Sequence, residues 1–157
     1  MLSFLAGPQD LRHAGPFALH INVATILSAE FLRFDAALPG ALRGQVILNL
    51  SAPDIMADAA AFTFARNFAR SRGYRLLLRG ATPSLLSLLD VAAAELDLIE
   101  VPLTPALRAD PDQLLLVVPD RVAILLTGVD TSTELEWAQT HHFALLAGRA
   151  AANLVTH

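Results

Sequence analysis

Short apolar runs alternate with helix-like segments along the whole chain, and this alternation limits the possible folds more than any other feature of the sequence. Most of the runs are almost continuously apolar, as in strands that are covered on both faces of a sheet. Strands and helices that alternate at this pace predict βα units, a parallel sheet and right-handed crossovers. The six predicted strands are residues 18–23, 45–50, 74–79, 97–101, 122–127 and 143–146.

The segments between these runs carry helix start and stop signals. Ser28 is a favourable N-cap for a helix over residues 28–38, and Gly73 ends a helix predicted over residues 53–72. Residues 83–95 begin with a proline, which is typical of a first helical turn. Residues 131–141 show the capping-box spacing of Thr131 and Glu134, which predicts a helix start. Residues 110–118 fit either a strand or a short helix, and Pro111 near their start favours the helix.

Length and composition restrict the architecture and the chemistry. With 157 residues, 54% of them hydrophobic, the chain predicts a single domain over residues 1–157. A complete eight-unit βα barrel takes about 250 residues and at least about 200, so six units predict an open sheet or an incomplete barrel. All 11 basic residues are arginines, which excludes lysine chemistry, and the absence of cysteine excludes disulfides and thiolate metal sites.

Charge and hydropathy argue against two classes of partner. The net charge of −4 and the scattered arginines disfavour a surface for polymeric nucleic acid. No uninterrupted run of 18 apolar residues occurs, and the first residues lack the pattern of a signal peptide. We therefore predict a cytoplasmic protein without a membrane partner.

One stretch carries a recognisable motif. An apolar run over residues 122–126 leads into Thr127-Gly128-Val129-Asp130-Thr131, and a helix pattern and a second short strand then end at Ala147-Gly148-Arg149. This arrangement resembles the AEGVET…QGY region of EAL domains, the bacterial cyclic di-GMP phosphodiesterases. In that resemblance Thr127 stands where the family has a metal-binding Glu, and Ala147 stands where it has Gln. Asp130 replaces a Glu that orders the loop in the family.

Other strand ends extend the resemblance over residues 20–149. Asn22 falls on a metal-binding Asn and is the one ligand position retained, whereas Asn49 replaces the first Glu of the family's ExTE strand. Arg79 and Gly80 occupy two Asp positions, and Glu100 replaces the catalytic Lys. The resemblance therefore implies an α/β, TIM-barrel-like EAL fold that is incomplete, with about six parallel βα units, and that lacks the early segment carrying the Glu-Ala-Leu motif.

The loss of carboxylates predicts a protein without catalytic residues, metal or cofactor. A divalent ion needs several converging anionic oxygens, and a guanidinium such as that of Arg79 would repel it. We expect a regulatory or protein-interaction domain, with the alternative of a cyclic di-GMP receptor that does not hydrolyse its ligand. An enzyme of unrelated chemistry, with Glu100 and Asp130 as its acids, is a third possibility. The candidate ligand-binding residues are Asn22, Asn49, Arg79, Glu100, Asp130 and Arg149.

Each candidate also has a structural interpretation. An Asn directly after a strand more often binds loop backbone groups, and this interpretation is favoured for Asn22. Arg79 and Glu100 lie on neighbouring predicted strands, so an ion pair between them is favoured over a ligand site. The adjacent His141 and His142 are better placed to interact with a helix end than to bind zinc. Open edges at the first and last strands predict a protein partner or a homo-oligomer.

Overall fold

The computed structural model describes residues 16–152, and within them strands and helices alternate as the sequence predicts. All six predicted strands are present, with ends that differ by at most three residues. The strands are β1 (Phe17–His20), β2 (Val46–Ser51), β3 (Arg75–Arg79), β4 (Leu98–Pro102), β5 (Ala123–Thr127) and β6 (Leu145–Ala147). The helices are α1 (Val23–Ile26), α2 (Ala29–Ala37), α3 (Gly40–Arg43), α4 (Ala52–Ala57), α5 (Ala59–Ser71), α6 (Pro83–Leu86), α7 (Val91–Ala94), α8 (Pro105–Ala109), α9 (Asp112–Val117), α10 (Ser132–Thr140) and α11 (Arg149–Ala152).

The strands form a parallel sheet in sequential order, β1-β2-β3-β4-β5-β6. Phe17 pairs with Val46 in the β1–β2 ladder, and Leu98 pairs with Ala123 in the β4–β5 ladder. Each strand is followed by helical structure before the next strand begins. The fold is therefore α/β, with six parallel βα units of an incomplete TIM-barrel type, and this confirms the predicted fold class.

The chain divides into two compact units, one up to Leu76 and the other from Leu77 onward. In the first unit, Phe31 is fully buried, and its ring centroid lies 5.5 Å from that of Tyr74 and 6.4 Å from that of Phe68. In the second unit, fully buried aliphatic side chains from strands and helices form the core, namely Leu78, Leu86, Ile99, Leu107, Leu114 and Leu126. The assignment of the whole chain to one domain stays a prediction.

Three predicted element boundaries were wrong, and a polar N-cap residue explains each of them. The first strand ends at His20 rather than residue 23, because Asn22 caps the short helix α1. The helix predicted over residues 53–72 is two helices, since Asp58 adopts an extended conformation (φ −149°, ψ 94°) and its side chain caps α5 through the N–H of Ala61. The helix predicted over residues 83–95 also divides, because Asp90 starts α7 by accepting a hydrogen bond from the N–H of Ala93.

Other local predictions were confirmed. Ser28 caps α2 by accepting a hydrogen bond from the N–H of Phe31 at 3.2 Å. Thr131 and Glu134 form the complete capping box of α10. Residues 112–117 are the short helix α9 rather than a strand. Local side-chain chemistry is thus enough to place these helix starts.

A buried carboxylate holds several elements of the first unit together. Asp35 of α2 is only 4% exposed, and its Oδ1 accepts a hydrogen bond from the Tyr74 hydroxyl at 2.8 Å. Its Oδ2 accepts from Nε of Arg72 at 2.8 Å. Arg43 Nε lies 2.9 Å from Asp35 Oδ1 without the alignment of a hydrogen bond, so this contact is ionic, whereas Arg43 Nη2 donates to the Asp35 carbonyl at 2.9 Å.

These contacts shift the pKa values of Asp35 and Tyr74. Burial acts to raise the pKa of Asp35, but the hydrogen bonds from Arg72 and Tyr74 and the charges of Arg43 and Arg72 outweigh it and hold the pKa below its usual value. Burial, followed by the hydrogen bond to Asp35, raises the pKa of Tyr74 far above its usual value. Asp35 is therefore ionised and Tyr74 neutral at pH 7.

Within residues 16–152, no helix is both long enough and apolar enough to cross a membrane.

Candidate functional site

Asn22 lies directly after β1, where the sequence places a candidate ligand. Its Oδ1 accepts hydrogen bonds from the backbone N–H and from the hydroxyl of Thr25, both at 2.7 Å. These two bonds make Asn22 the N-cap of α1, which is the favoured structural interpretation. Its role as a ligand stays a prediction.

Asp54 is a site residue that the sequence analysis missed. It lies in the first turn of α4, which follows β2 directly, and its Oδ2 accepts a hydrogen bond from the backbone N–H of Val23 at 2.7 Å. This contact connects the first turn after β1 with the first turn after β2. An acidic residue in a first turn is itself a favourable helix signal, so the sequence offered no reason to assign Asp54 to a tertiary contact.

Asn49 of β2 is the most buried of the six candidate residues. It is 4% exposed, lies opposite His20 in the β1–β2 register, and its Oδ1 has no hydrogen-bond partner among residues 16–152. An unsatisfied buried acceptor costs about 1–3 kcal/mol.

In the second unit, Arg79 ends β3 and Glu100 lies in β4. Leu77 pairs with Leu98 and Leu78 with Ile99, so the same register continues to Arg79 beside Glu100. The Ala81 N–H donates to the Glu100 carbonyl at 2.9 Å, which fixes the chain direction just after β3. Both side chains are half-buried. The backbone thus brings the two residues together, and the ion pair between their side chains stays a prediction.

The strongest geometry in the second unit joins the loop after β5 to the turn after β6. The Oδ1 of Asp130 accepts a hydrogen bond from the backbone N–H of Arg149 at 2.9 Å. The Arg149 guanidinium lies farther off, with its Nε 3.7 Å from the same oxygen, and its side chain is 85% exposed. Asp130 therefore holds the backbone of Arg149 and leaves most of the guanidinium in solvent.

Glu134 orders the same loop from the first turn of α10. Its Oε2 accepts hydrogen bonds from the N–H groups of Asp130 and Thr131 at 2.9 and 3.0 Å. The bond from Asp130, followed by that from Thr131, lowers the pKa of Glu134, so the carboxylate is ionised near neutral pH. The capping-box spacing predicted the bond to Thr131, but not the second bond to Asp130.

Gly148 makes the close approach of the two segments possible. The Val129 N–H donates to the Ala147 carbonyl at 3.1 Å, and the Val129 carbonyl accepts from the Ala150 N–H at 3.0 Å. Gly148 lies between these bonds with a φ of 146°, and a Cβ there would come within 2.3 Å of the Val129 oxygen. The glycine is therefore required by both backbone conformation and space.

The aromatic and histidine residues near α10 are packed against one another. The Trp137 ring lies 4.4 Å from that of His141 and 5.7 Å from that of Phe143, between ring centroids. His141 is the C-cap of α10, and its Nδ1 lies 2.8 Å from the Trp137 carbonyl oxygen. This confirms the predicted position at a helix end. In the part of the chain that is described, no three His, Asp or Glu side chains gather around a common metal position.

The sheet of sequential βα units reproduces part of an EAL-domain fold. LapD from Vibrio cholerae, solved as an S helix–GGDEF–EAL protein, matches with a TM-score of 0.70 at 13% identity over 91% of this chain and 39% of its own. The YkuI protein of Bacillus subtilis, which has an EAL domain and was solved with substrate cyclic di-GMP and calcium, matches with a TM-score of 0.70 at 15% identity over 90% of this chain and 38% of its own.

A third solved structure gives the same result. BlrP1 from Klebsiella pneumoniae, in complex with manganese and cyclic di-GMP, matches with a TM-score of 0.67 at 15% identity over 89% of this chain and 39% of its own. This chain therefore spans less than two fifths of the length of these proteins. No family model matches the sequence, and no curated protein matches it significantly. At these identities the similarity establishes the fold alone.

Proposed function

We propose that this chain is a non-catalytic EAL-like domain with a regulatory or protein-interaction role in bacterial signalling. The observation that carries the proposal is that polar side chains after the strands bind loop backbone. Asn22 caps α1, Asp130 binds the Arg149 N–H, and Glu134 binds two N–H groups of its own loop. A cytoplasmic location is part of the same proposal.

The residue types at the matched strand ends support this role. Metal-assisted hydrolysis of a phosphodiester needs hard oxygen ligands at about 2.0–2.6 Å from each ion, preferably carboxylates. The sequence has an amide at Asn49, a guanidinium at Arg79 and a hydroxyl at Thr127 instead. A guanidinium about 4 Å from a divalent ion would oppose its binding by several kcal/mol at an effective dielectric of about 20.

A hydrolysis assay tests the proposal. The purified chain, incubated with cyclic di-GMP and either Mg²⁺ or Mn²⁺, is expected to give no linear dinucleotide above the level of a reaction with EDTA. The phosphodiesterase PaMucR, whose structure with cyclic di-GMP resembles this chain at a TM-score of 0.55, serves as the positive control. Metal-dependent formation of the linear product by this chain would refute a non-catalytic role.

Binding of cyclic di-GMP without hydrolysis is the second candidate function. It is favoured by two similar structures that were solved with this nucleotide and by the solvent-facing guanidinium of Arg149. Arginine binds phosphate oxygens with paired, charge-assisted hydrogen bonds. Because Asp130 fixes the backbone of Arg149, the guanidinium starts from a defined position after β6.

Calorimetric titration separates the two candidates. A receptor gives saturable heat with cyclic di-GMP, and Arg149→Ala or Arg79→Ala should weaken the affinity about tenfold, equivalent to roughly 1.4 kcal/mol. Arg33→Ala is the matched control for Arg149→Ala, because Arg33 is also highly exposed and forms a surface ion pair, with Glu30 at 3.7 Å. Absence of heat at about 100 μM protein would remove the receptor function.

A further inference from the structure

The first strand of the sheet is less covered than the strand beside it. In the described part of the chain, β1 stands at the end of the strand order, next to β2. Phe17 and Leu19 of β1 lie opposite Val46 and Leu48 of β2, so these four side chains point to the same face of the sheet. Val46 and Leu48 are fully buried, whereas Phe17 and Leu19 are only half-buried. This apolar face is therefore only partly covered at β1.

Helix α2 directs an aromatic side chain toward the same edge. Phe31 marks the side of α2 that faces the core, because it is fully buried. In a helix, Asp35 lies about 40° to one side of Phe31, and Phe34 lies about 60° to the other side. Asp35 binds Tyr74 directly before β3, so Phe34 faces away from β3 and toward β1. Phe34 is also only half-buried, although its ring centroid lies 5.6 Å from that of Phe31.

The three half-buried residues Phe17, Leu19 and Phe34 are called the edge surface below. Isolated apolar residues on a protein surface need no cover, but these three belong to one face of an edge strand and to the helix flank above it. Proteins commonly protect an edge strand with a helix or loop, because an open edge can pair with other chains. An apolar segment is therefore the occupant that this surface fits.

The first 15 residues of the chain have the composition and the attachment for this role. They directly precede the described residues and β1, and residues 1–8 carry no charge. Three large apolar side chains lie in this part, namely Leu2, Phe4 and Leu5. Residues 6–15 can span up to about 33 Å, whereas β1 is about 13 Å long, so the segment can return along the strand. A segment tethered in this way acts at an effective concentration of about millimolar.

We propose that residues 1–8 fold back on their own chain and pack Leu2, Phe4 and Leu5 against the edge surface. The removal of apolar area from water on both sides drives the contact. The segment covers the apolar face at β1 and hinders the pairing of this edge with other chains. The inference goes beyond the proposed function and does not depend on it, because it concerns neither hydrolysis nor binding of cyclic di-GMP.

Cross-linking within one chain tests the contact, because the chain has no cysteine of its own. Ser3→Cys is combined either with Ala37→Cys, on the Phe34 side of α2, or with Ala36→Cys, on the opposite side. Both alanines are exposed, so the two double variants are matched. A short bismaleimide should link the Ala37→Cys variant within one chain in a yield several times that of the Ala36→Cys variant. Equal yields, or products that join two chains, would overturn the proposal.

A variant of the segment tests what the contact covers. Phe4→Ser combined with Leu5→Ser should uncover the edge surface, so the fluorescence of the apolar dye ANS is expected to rise severalfold while thermal melting remains cooperative. The matched control combines Leu32→Ser with Phe64→Ser, which removes two apolar side chains that are 50% and 69% exposed outside the edge surface, and it should not raise the fluorescence. Unchanged fluorescence of the Phe4→Ser, Leu5→Ser variant would contradict the contact.

Discussion

The carboxylate of Asp130 accepts a hydrogen bond from the backbone N–H of Arg149 at 2.9 Å, across 19 residues of sequence. This bond joins the loop after β5 to the turn after β6. Val129 makes two backbone hydrogen bonds to the same turn: its N–H donates to the Ala147 carbonyl, and its carbonyl accepts from the Ala150 N–H. The loop after β5 and the turn after β6 therefore form one ordered segment of the second unit. The side chain of Arg149 extends from this segment into solvent.

Removing the Asp130 carboxylate should loosen this segment locally. In Asp130→Ala the Arg149 N–H loses its acceptor, and its hydrogen exchange is expected to become about five- to tenfold faster, equivalent to roughly 1 kcal/mol. Amide exchange followed by NMR measures this directly. Asp112→Ala is the control, because Asp112 is an exposed aspartate in the first turn of a different helix, α9, and it should leave the Arg149 amide unchanged.

Gly148 should tolerate no side chain. Gly148→Ala places a Cβ 2.3 Å from the Val129 carbonyl oxygen at a φ of 146°, so we expect it to destabilise the protein by about 2 kcal/mol or more. Urea unfolding followed by circular dichroism gives the change. Gly44→Ala is the matched control, since Gly44 has a helical conformation with no atom within 4 Å of an added Cβ, and it should be neutral or slightly stabilising. Equal midpoints for the two variants would contradict the observed packing of the turn.

Asp35 should be the most sensitive polar residue of the first unit. Asp35→Asn keeps the size of the side chain but leaves Arg43 and Arg72 without their buried counter-charge, so a loss of about 3 kcal/mol is expected at pH 7. Denaturant unfolding measures it. The control Glu30→Gln removes a solvent-exposed ion pair with Arg33 and should change stability little. A small effect of Asp35→Asn would mean that the cluster does not hold the unit together.

The same carboxylate predicts a pH dependence. Because the pKa of Asp35 is lower in the folded than in the unfolded chain, its stabilisation is present above about pH 4 and is lost as the pH falls through the folded value. Urea midpoints of the wild type should therefore fall below about pH 4, and those of Asp35→Asn should fall less steeply. The pKa of Glu134 is also lowered, but Glu134 is present in both proteins, so its contribution to the pH dependence cancels when their urea midpoints are compared. Parallel pH profiles would count against Asp35 as the titrating group.

Much of the local structure could be predicted from the sequence. The strands were found because buried parallel strands are almost continuously apolar, and Ser28, Thr131 and Glu134 placed two helix starts through their own hydrogen bonds. The motif around Gly128 and Asp130 correctly indicated the EAL fold. The errors arose where a polar residue inside a helical pattern, such as Asp58 or Asp90, started a new helix instead of continuing the old one.

The candidate site was predicted less completely. The sequence identified Asn22 and Asp130 but could not indicate their partners, because a carboxylate or amide close to a strand end has the same pattern whether it binds a ligand or loop backbone. The sequence analysis also missed two aspartates. Asp54 accepts a hydrogen bond from the Val23 N–H, and Asp35 contacts Arg43, Arg72 and Tyr74. Their contacts join residues that are 8 to 39 positions apart, and no local pattern encodes such distances.

The sequence by itself determined the order of strands and helices and the parallel sheet, since these depend on apolar periodicity and capping chemistry. Only the tertiary structure decided which polar side chains form hydrogen bonds with backbone groups, which glycine has no room for a side chain, and which leucines are exposed to solvent. Those properties depend on distances between segments that meet only after the chain has folded.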